Sequence, residues 1–324
     1  MYAALDLHEK SIQCVLKDDT GKIVREAKLG KDEEKILEFL DGTGASVVME
    51  SGYNHQHISD VLKAKGYDVK VAHPLMVKAI AYAKVKSDKV DARTLADLLR
   101  ADMIPESYVP DERIREVRDL VRRRHDLVET RTGFKSKVKA ELAKRWVKYE
   151  GGVFTREGRS YLRSLHIGAV DDYLDTIGFL DGKIGELDLK VKEMAMQDRY
   201  ARLPMTIPGV SYYSALLISC EIADVNRFPD HEHLCSYAGL VPGMRQSADR
   251  SHATQSRTRS ALLNWIMVQV TRVHVRSCDS AITAFYSEVA RRRGEKIAIV
   301  AAARKLMRTM YIMLKEEQAF RLDG

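Results

Sequence analysis

Two rhythms of apolar and polar residues run through the first hundred residues. "YAALDL" (2–7) is an apolar run broken by one acid, and predicts a strand. "SIQCVLK" and "KIVREAKL" flank "DDTG" (Asp18 to Gly21), a strong turn sequence, and predict a hairpin. "KDEEKILEFLDG" sets apolar residues at 36, 37, 39 and 40 before a glycine, the pattern of a helix. "ASVVME" is a short apolar run between glycines and reads as a buried strand. "HISDVLKAKG" then reads as helix, "YDVKVAHP" as strand, and about Asp88 to Arg100 as helix. The order is β-β-β-α-β-α-β-α, which implies an α/β unit over residues 1–105 with a partly parallel sheet.

Beyond Pro105 and Pro110 the rhythm turns helical. Val170, Tyr173, Ile177, Leu180, Ile184, Leu187, Val191 and Met194 alternate spacings of three and four, an a/d seam of a coiled coil. That seam is filled either by a second copy of the chain or by the basic helix before it in an antiparallel hairpin. Residues 106–200 are thus expected as a basic helical or coiled-coil region, and residues 201–324 as a wholly helical domain. The latter opens with "LPMTIPGVSYYSALLISCEI", where the Pro208-Gly209 turn runs straight into a helix. This is a helix-hairpin-helix-like element, whose turn and helix-start N–H groups, Gly209 among them, can face a phosphate. The last helix, "AIVAAARKLMRTMYIMLK", is apolar on most of its circumference and belongs in a core.

With 324 residues, 45% hydrophobic and 31% charged, the chain is globular and of multi-domain size. No apolar run approaches the ~18 residues of a membrane span. Asp6 and Glu9 interrupt the N-terminal stretch a signal peptide would need, so a cytoplasmic location is expected. Cys14, Cys220, Cys235 and Cys278 lie far apart without a CxxC, which argues against disulfides or a zinc ribbon. In "HEHLC" (His231, His233, Cys235) the i, i+2 spacing turns the side chains apart on a helix, so a structural zinc site is not expected there.

The net charge of +7 is concentrated. Residues 113–145 hold 12 Lys or Arg against 5 Asp or Glu. "RRRH" (Arg122 to His125) has no interleaved acid. Arg118, Arg122, Arg123, Arg124, Arg131, Lys135, Lys137 and Lys139 are therefore candidates for phosphate contact, against the alternative of a solvated, ion-paired helix face.

The acids of the first region are placed more tellingly. Asp6 interrupts an apolar strand, at a cost unless its charge is compensated. Glu50 ends the strand "SVVME", and Asp88 and Asp91 open the following helix in "KSDKVDA". In an RNase H-like sheet the first strand lies beside the strand after the first helix, which would bring Asp6 and Glu50 together under the last helix. Four converging carboxylates repel unless they bind cations such as Mg²⁺ or Mn²⁺, and two such ions about 3.5–4 Å apart support phosphodiester chemistry. Taken singly, Asp88 and Asp91 also fit a capping box, Asp6 a strand-end residue and Glu50 a loop acid.

These segments together resemble the DEDD transposases of insertion-sequence family 110. "ALDLHEKSI", "VVMESGYN" and "KSDKVDARTLADLL" resemble the family's Asp, Glu and double-Asp motifs. "IPGVSYYSALLISCEIADVNRF", "YAGLVPGMRQS" and the tail from "AFYSEVARRRGEK" onward resemble its C-terminal motifs. The resemblance spans nearly the whole chain. It implies a RuvC-like N-terminal domain of RNase H fold and a helical C-terminal transposase domain. It also implies Mg²⁺ at Asp6, Glu50, Asp88 and Asp91, and a serine that attacks the DNA backbone, here Ser247 in "GMRQSADRS". Partners implied are DNA, a structured guide RNA and further copies of the chain, as dimer or tetramer, in a prokaryotic cytoplasm at the nucleoid. The family usually continues Ser-Gly, whereas Ala248 follows Ser247 here, and Ser251 is the alternative nucleophile. A junction-resolving nuclease using water, and a non-catalytic nucleic-acid scaffold, are the competing functions.

Overall fold

The N-terminal hairpin forms where the turn sequence sets it. Strand β2 (Ser11–Lys17) and strand β3 (Ile23–Gly30) pair antiparallel across a loop organised by Asp18. The Asp18 carboxylate accepts hydrogen bonds from the Thr20 and Lys22 backbone N–H groups and from the Thr20 hydroxyl, while Gly21 takes φ +86°, a left-handed value suited to glycine. The computed structural model describes residues 1–52, 54–80, 88–241, 243–247, 250–254 and 260–322, and for the strands at 243–247 and 250–254 the backbone alone.

Within these residues the chain divides into two compact units, Met1–Pro110 and Asp111–Gly324. In the first, β1 (Tyr2–Leu7) pairs antiparallel with β2 and parallel with β4 (Ser46–Glu50), and β4 pairs parallel with β5 (Val69–Ala72). The five-stranded order is β3-β2-β1-β4-β5, a mixed sheet consistent with an RNase H-like domain. Helices α1 (Glu33–Leu40) and α2 (His55–Ala64) cover one face, packing Ile36, Phe39, Leu40, Ile58 and Leu62 on Leu5, Cys14, Val47 and Met49. The short α3 (Pro74–Ile80) and α4 (Asp88–Arg100) cover the other, with Val77, Ala92, Leu95, Ala96 and Leu99 on Ala4, Val15 and Val48. Strand alternation separates the two cores, since residues i and i+2 share a face.

In the second unit, α5 (Glu112–Lys144) runs antiparallel to α7 (Gly168–Gln197), with α6 (Arg156–Ser164) between them in the chain. The direction follows from the paired residues: Arg124 meets Asp188, Arg131 meets Asp181, and Lys137 lies over Tyr173. The α7 seam therefore closes within the chain. Val170 and Ile177 pack with Val138 and Leu142 at one end of the pair, Leu187 and Val191 with Val117, Leu120 and Val121 at the other.

This second end merges into the main core with the helices that follow the short α8 (Arg199–Arg202). At its centre is α9 (Tyr212–Ile222), buried continuously from Ser214 to Ile222 as its apolar circumference dictates. Around it lie α10 (His231–Tyr237), α11 (Ala261–Ser277), α12 (Ala281–Arg293) and α13 (Glu295–Glu316). One expectation is corrected: this region is not wholly helical. Strands β6 (Gly243–Ser247) and β7 (Arg250–Thr254) form an antiparallel ribbon with only two residues between them. "GMRQSADRSHAT" has too few apolar residues for a helical period, and a two-residue connection suits a tight hairpin. Among the described residues no helix is long and apolar enough to cross a membrane.

Candidate functional site

Pleat parity carries the acids to one side of the sheet. Ala4 and Val48 pack under α4, so Asp6 and Glu50, two residues further along β1 and β4, share that face. The two strands are in register at Leu5 and Met49, one residue short of the acids. Helix α4 begins with Asp88 and has Asp91 in its first turn, where the positive end of the helix dipole favours carboxylates. It is held on the sheet by Lys17 Nζ, 2.6 Å from Asp97 Oδ2, and by a two-bond Arg93–Glu26 pair at 2.6 and 3.0 Å.

The residue that joins these acids is His8. Its Nε2 lies 3.0 Å from Asp6 Oδ2 and 3.3 Å from Asp88 Oδ1, and Lys28 Nζ stands 3.9 Å from the other Asp88 oxygen. Burial raises the Asp6 carboxyl above the ordinary range; His8 opposes this, and the charges of Asp88 and Asp91 add to it. Asp6 is thus a mostly buried acid facing two others, balanced by one imidazole.

The ligand atoms of Asp6, His8 and Asp88 all lie within 4.8 Å of one another. Ligand atoms gathered this closely could share one divalent ion. The donor set is chemically suitable: carboxylates for Mg²⁺ or Mn²⁺, with an imidazole that tolerates Mn²⁺ better. Of the four acids picked from sequence, Asp6 and Asp88 enter this cluster. Asp91 acts on Asp6 through its charge, and Glu50 ends β4 on the same face.

His8 was not among the residues picked from sequence. Its position two residues after Asp6, one residue past the end of β1, was the available signal. A second overlooked neighbour is Gln13, opposite Asp6 on β2 and only 2% exposed, whose Nε2 has no hydrogen-bond partner. Lys28 sits opposite Gln13 on β3, which completes a polar row beneath the start of α4.

The basic residues of α5 fall into two groups. Arg118 donates to the Cys220 and Glu221 carbonyls at the end of α9. Arg122 donates twice to the Glu221 carboxylate, which is 1% exposed and also accepts from the Ser260 hydroxyl. Arg124 pairs with Asp188 and lies over the Tyr213 ring, and Arg131 pairs with Asp181. These four arginines hold helices together. Arg123, Lys137 and Lys139 are exposed, although Lys137 also leans on Phe134 and Tyr173. Lys135 lies over Phe154, and burial together with the cations around it lowers its pKa.

Gly209 takes φ +94° at the turn before α9, and a Cβ there would come within 2.9 Å of the His274 backbone nitrogen. That turn packs on α11, where a ring nitrogen of His274 lies 2.9 Å from the Pro208 carbonyl. Ser247 ends β6 in register with Arg250, and Ser251 on β7 is in register with Gln246. Their side chains, and all of Ala248, lie outside the described residues.

Residues 3–146 match the profile of the DEDD transposases of the IS110 group, and residues 201–287 that of the IS116/IS110/IS902 transposase family. The chain is 23% identical over 322 residues to the transposase for insertion sequence element IS1111A of Coxiella burnetii, covering 94% of this chain and 86% of the relative. It is 26% identical over 295 residues to a candidate transposase, y4qE, of Sinorhizobium fredii, covering 82% of this chain and 74% of the relative.

Proposed function

The chain belongs to the IS110 family of transposases, and from that premise we propose that it cuts and exchanges DNA strands with a divalent-metal centre at Asp6, Glu50, Asp88 and Asp91 and a serine nucleophile at Ser247. As a transposase it is a DNA-cleaving and recombining enzyme. The observation that carries the metal centre is the convergence of Asp6, His8 and Asp88, whose ligand atoms lie within 4.8 Å of one another, with the charge of Asp91 close enough to act on Asp6. Carboxylates so arranged repel until a cation joins them.

In this reading Asp6 and Asp88 hold the ion, Asp91 and Glu50 complete its acidic surroundings, and His8 orients the Asp6 and Asp88 carboxylates. Mg²⁺ or Mn²⁺ bound there would supply positive charge to phosphate oxygens of the DNA. The Ser247 hydroxyl attacks phosphorus: an Oγ–P bond forms, one backbone P–O bond breaks, and the released DNA hydroxyl gains the proton. The exposed Arg123, Lys137 and Lys139 meet phosphate, while the paired arginines keep their carriers in place. A RuvC-like assignment of the first unit, a structured guide RNA and assembly into dimers or tetramers belong to the same proposal through the family resemblance.

The test is a denaturing gel of full-length protein incubated with labelled DNA, co-purified RNA and Mg²⁺. A protein–DNA adduct is expected, absent in Ser247→Ala and in Asp6→Asn. Free DNA ends with no adduct, and undiminished cutting by Ser247→Ala, would mean that water is the nucleophile and overturn the serine assignment.

A further inference from the structure

Helix α5 ends at Lys144 in a pattern that calls for glycine. The Trp146 N–H bonds to the Ala143 carbonyl at 3.2 Å and the Val147 N–H to the Leu142 carbonyl at 3.0 Å, the paired closing bonds of a Schellman motif. Val147 packs back against the cluster that contains Leu142, as such a motif requires. The residue between them must adopt a left-handed backbone, and Trp146 does so at φ +55°. Glycine is the usual occupant because it has no Cβ to clash. A bulky aromatic is among the residues least suited to it.

The side chain does not compensate for the strain. Trp146 is 89% exposed, more than any other large hydrophobic side chain among the described residues, whereas tryptophan is on average well buried. Among the described residues its ring makes no hydrogen bond and no ring contact. Both the backbone and the apolar surface are thus held in unfavourable states at one position. Such a combination points to function rather than packing.

The surroundings indicate what covers the ring. Residues 135–148 hold six Lys or Arg against a single Glu. That one acid, Glu141, is shared by Lys144 and Arg145, which leaves Lys139 and Lys148 exposed along the same helix end. A flat apolar ring amid excess positive charge is the recognition element for an unpaired base on a phosphate backbone. Base pairs in a duplex hide their faces in the stack, so a duplex offers this ring nothing comparable. We propose that Trp146 is a stacking platform for an unpaired nucleotide of a single-stranded nucleic acid, with Lys139 and Lys148 against its phosphates. This stands on the helix end alone and is independent of the metal centre and of Ser247.

The experiment is a binding titration, by fluorescence anisotropy, of the full-length chain with one labelled sequence as single-stranded RNA, as single-stranded DNA and as duplex DNA. Trp146→Ala and Trp146→Gly are expected to weaken single-strand binding about tenfold, with Trp146→Phe within about threefold of the parent. Duplex affinity should change less than about twofold, because the cations remain. Trp146→Gly should melt no lower than the parent, since glycine fits the left-handed position, which separates lost stacking from lost folding. In a Trp265→Phe background Trp146 is the sole tryptophan, and its emission should fall as the single strand binds. A larger effect on RNA or on DNA supports the proposal and identifies the sugar. Equal loss on all three ligands, no loss on any, or a change in oligomeric mass without a change in affinity would overturn it.

Discussion

At Asp6, burial and the negative charges of Asp88 and Asp91 favour the protonated carboxyl, and His8 opposes them. A carboxyl whose folded pKa is raised binds more protons folded than unfolded between the two values, so stability falls as pH rises through that window. At neutral pH without metal, Asp6 therefore destabilises the sheet unit. Asp6→Asn is expected to melt higher than the parent in metal-free buffer at pH 7.5, with the gap closing as pH falls below the ordinary aspartate value. Added Mg²⁺ or Mn²⁺ should raise the parent's melting temperature and leave the variant's unchanged, because ion binding stabilises only the state that binds it. A variant melting below the parent at every pH would show Asp6 to be a structural acid. The row Lys28–Gln13–Asp6 extends the picture, since a buried amide donor without a partner beside a candidate ligand is a position for an acceptor the ion would bring, such as water.

At the scale of elements, the basic helix α5 does two jobs. Its first half binds the C-terminal helices: Arg118 closes the end of α9 through two carbonyls, and Arg122 neutralises Glu221, an acid with almost no solvent access. Arg122 is half exposed but Glu221 is buried, so removing Arg122 leaves a buried carboxylate with only the Ser260 hydroxyl among the described residues, whereas removing both charges together is often nearly neutral. Arg122→Ala is expected to destabilise the second unit by about 2 kcal/mol, less than a fully buried pair because solvent screens the guanidinium, and Arg122→Met with Glu221→Leu to recover most of it. Chemical denaturation checks this, and a loss below about 0.5 kcal/mol would place the pair among ordinary surface bridges. The second half, beyond Arg131, has spare cations and leads to Trp146 just past the helix end; together with Arg123 it is expected to meet nucleic acid.

For the molecule as a whole, the two units have separate hydrophobic cores. Calorimetry should resolve two transitions rather than one, and Mg²⁺ should move only the one belonging to residues 1–110. A single transition that shifts as one with metal would contradict the division. Charge is divided too: the basic excess lies on α5, in the second unit, and the acid cluster in the first. DNA binding should weaken steeply with salt, and neutralising Arg123, Lys137 and Lys139 together should flatten that dependence without abolishing Mg²⁺ binding.

Local pattern set the element order of the first unit apart from the short α3, which it missed together with the β6–β7 ribbon of the second. Strand alternation, the "DDTG" turn and the helix from Asp88 to Arg100 are short-range features, whereas the meeting of Asp6 and Glu50 was expected from the strand neighbours of an RNase H-like sheet, and β1 does pair with β4. The family resemblance was equally a property of the sequence. Ion-pair partners were not, because a guanidinium chooses by distance in space: Arg122 and Glu221 are 99 residues apart in the chain. For the same reason the α7 seam offered two equal answers until α5 was seen to fill it. His8 became part of the acid cluster only when the start of α4 arrived above β1. Trp146 stood out only once a left-handed helix end and an uncovered ring were found at the same residue. Periodicity fixes which way a side chain faces; the folded chain alone decides what it meets.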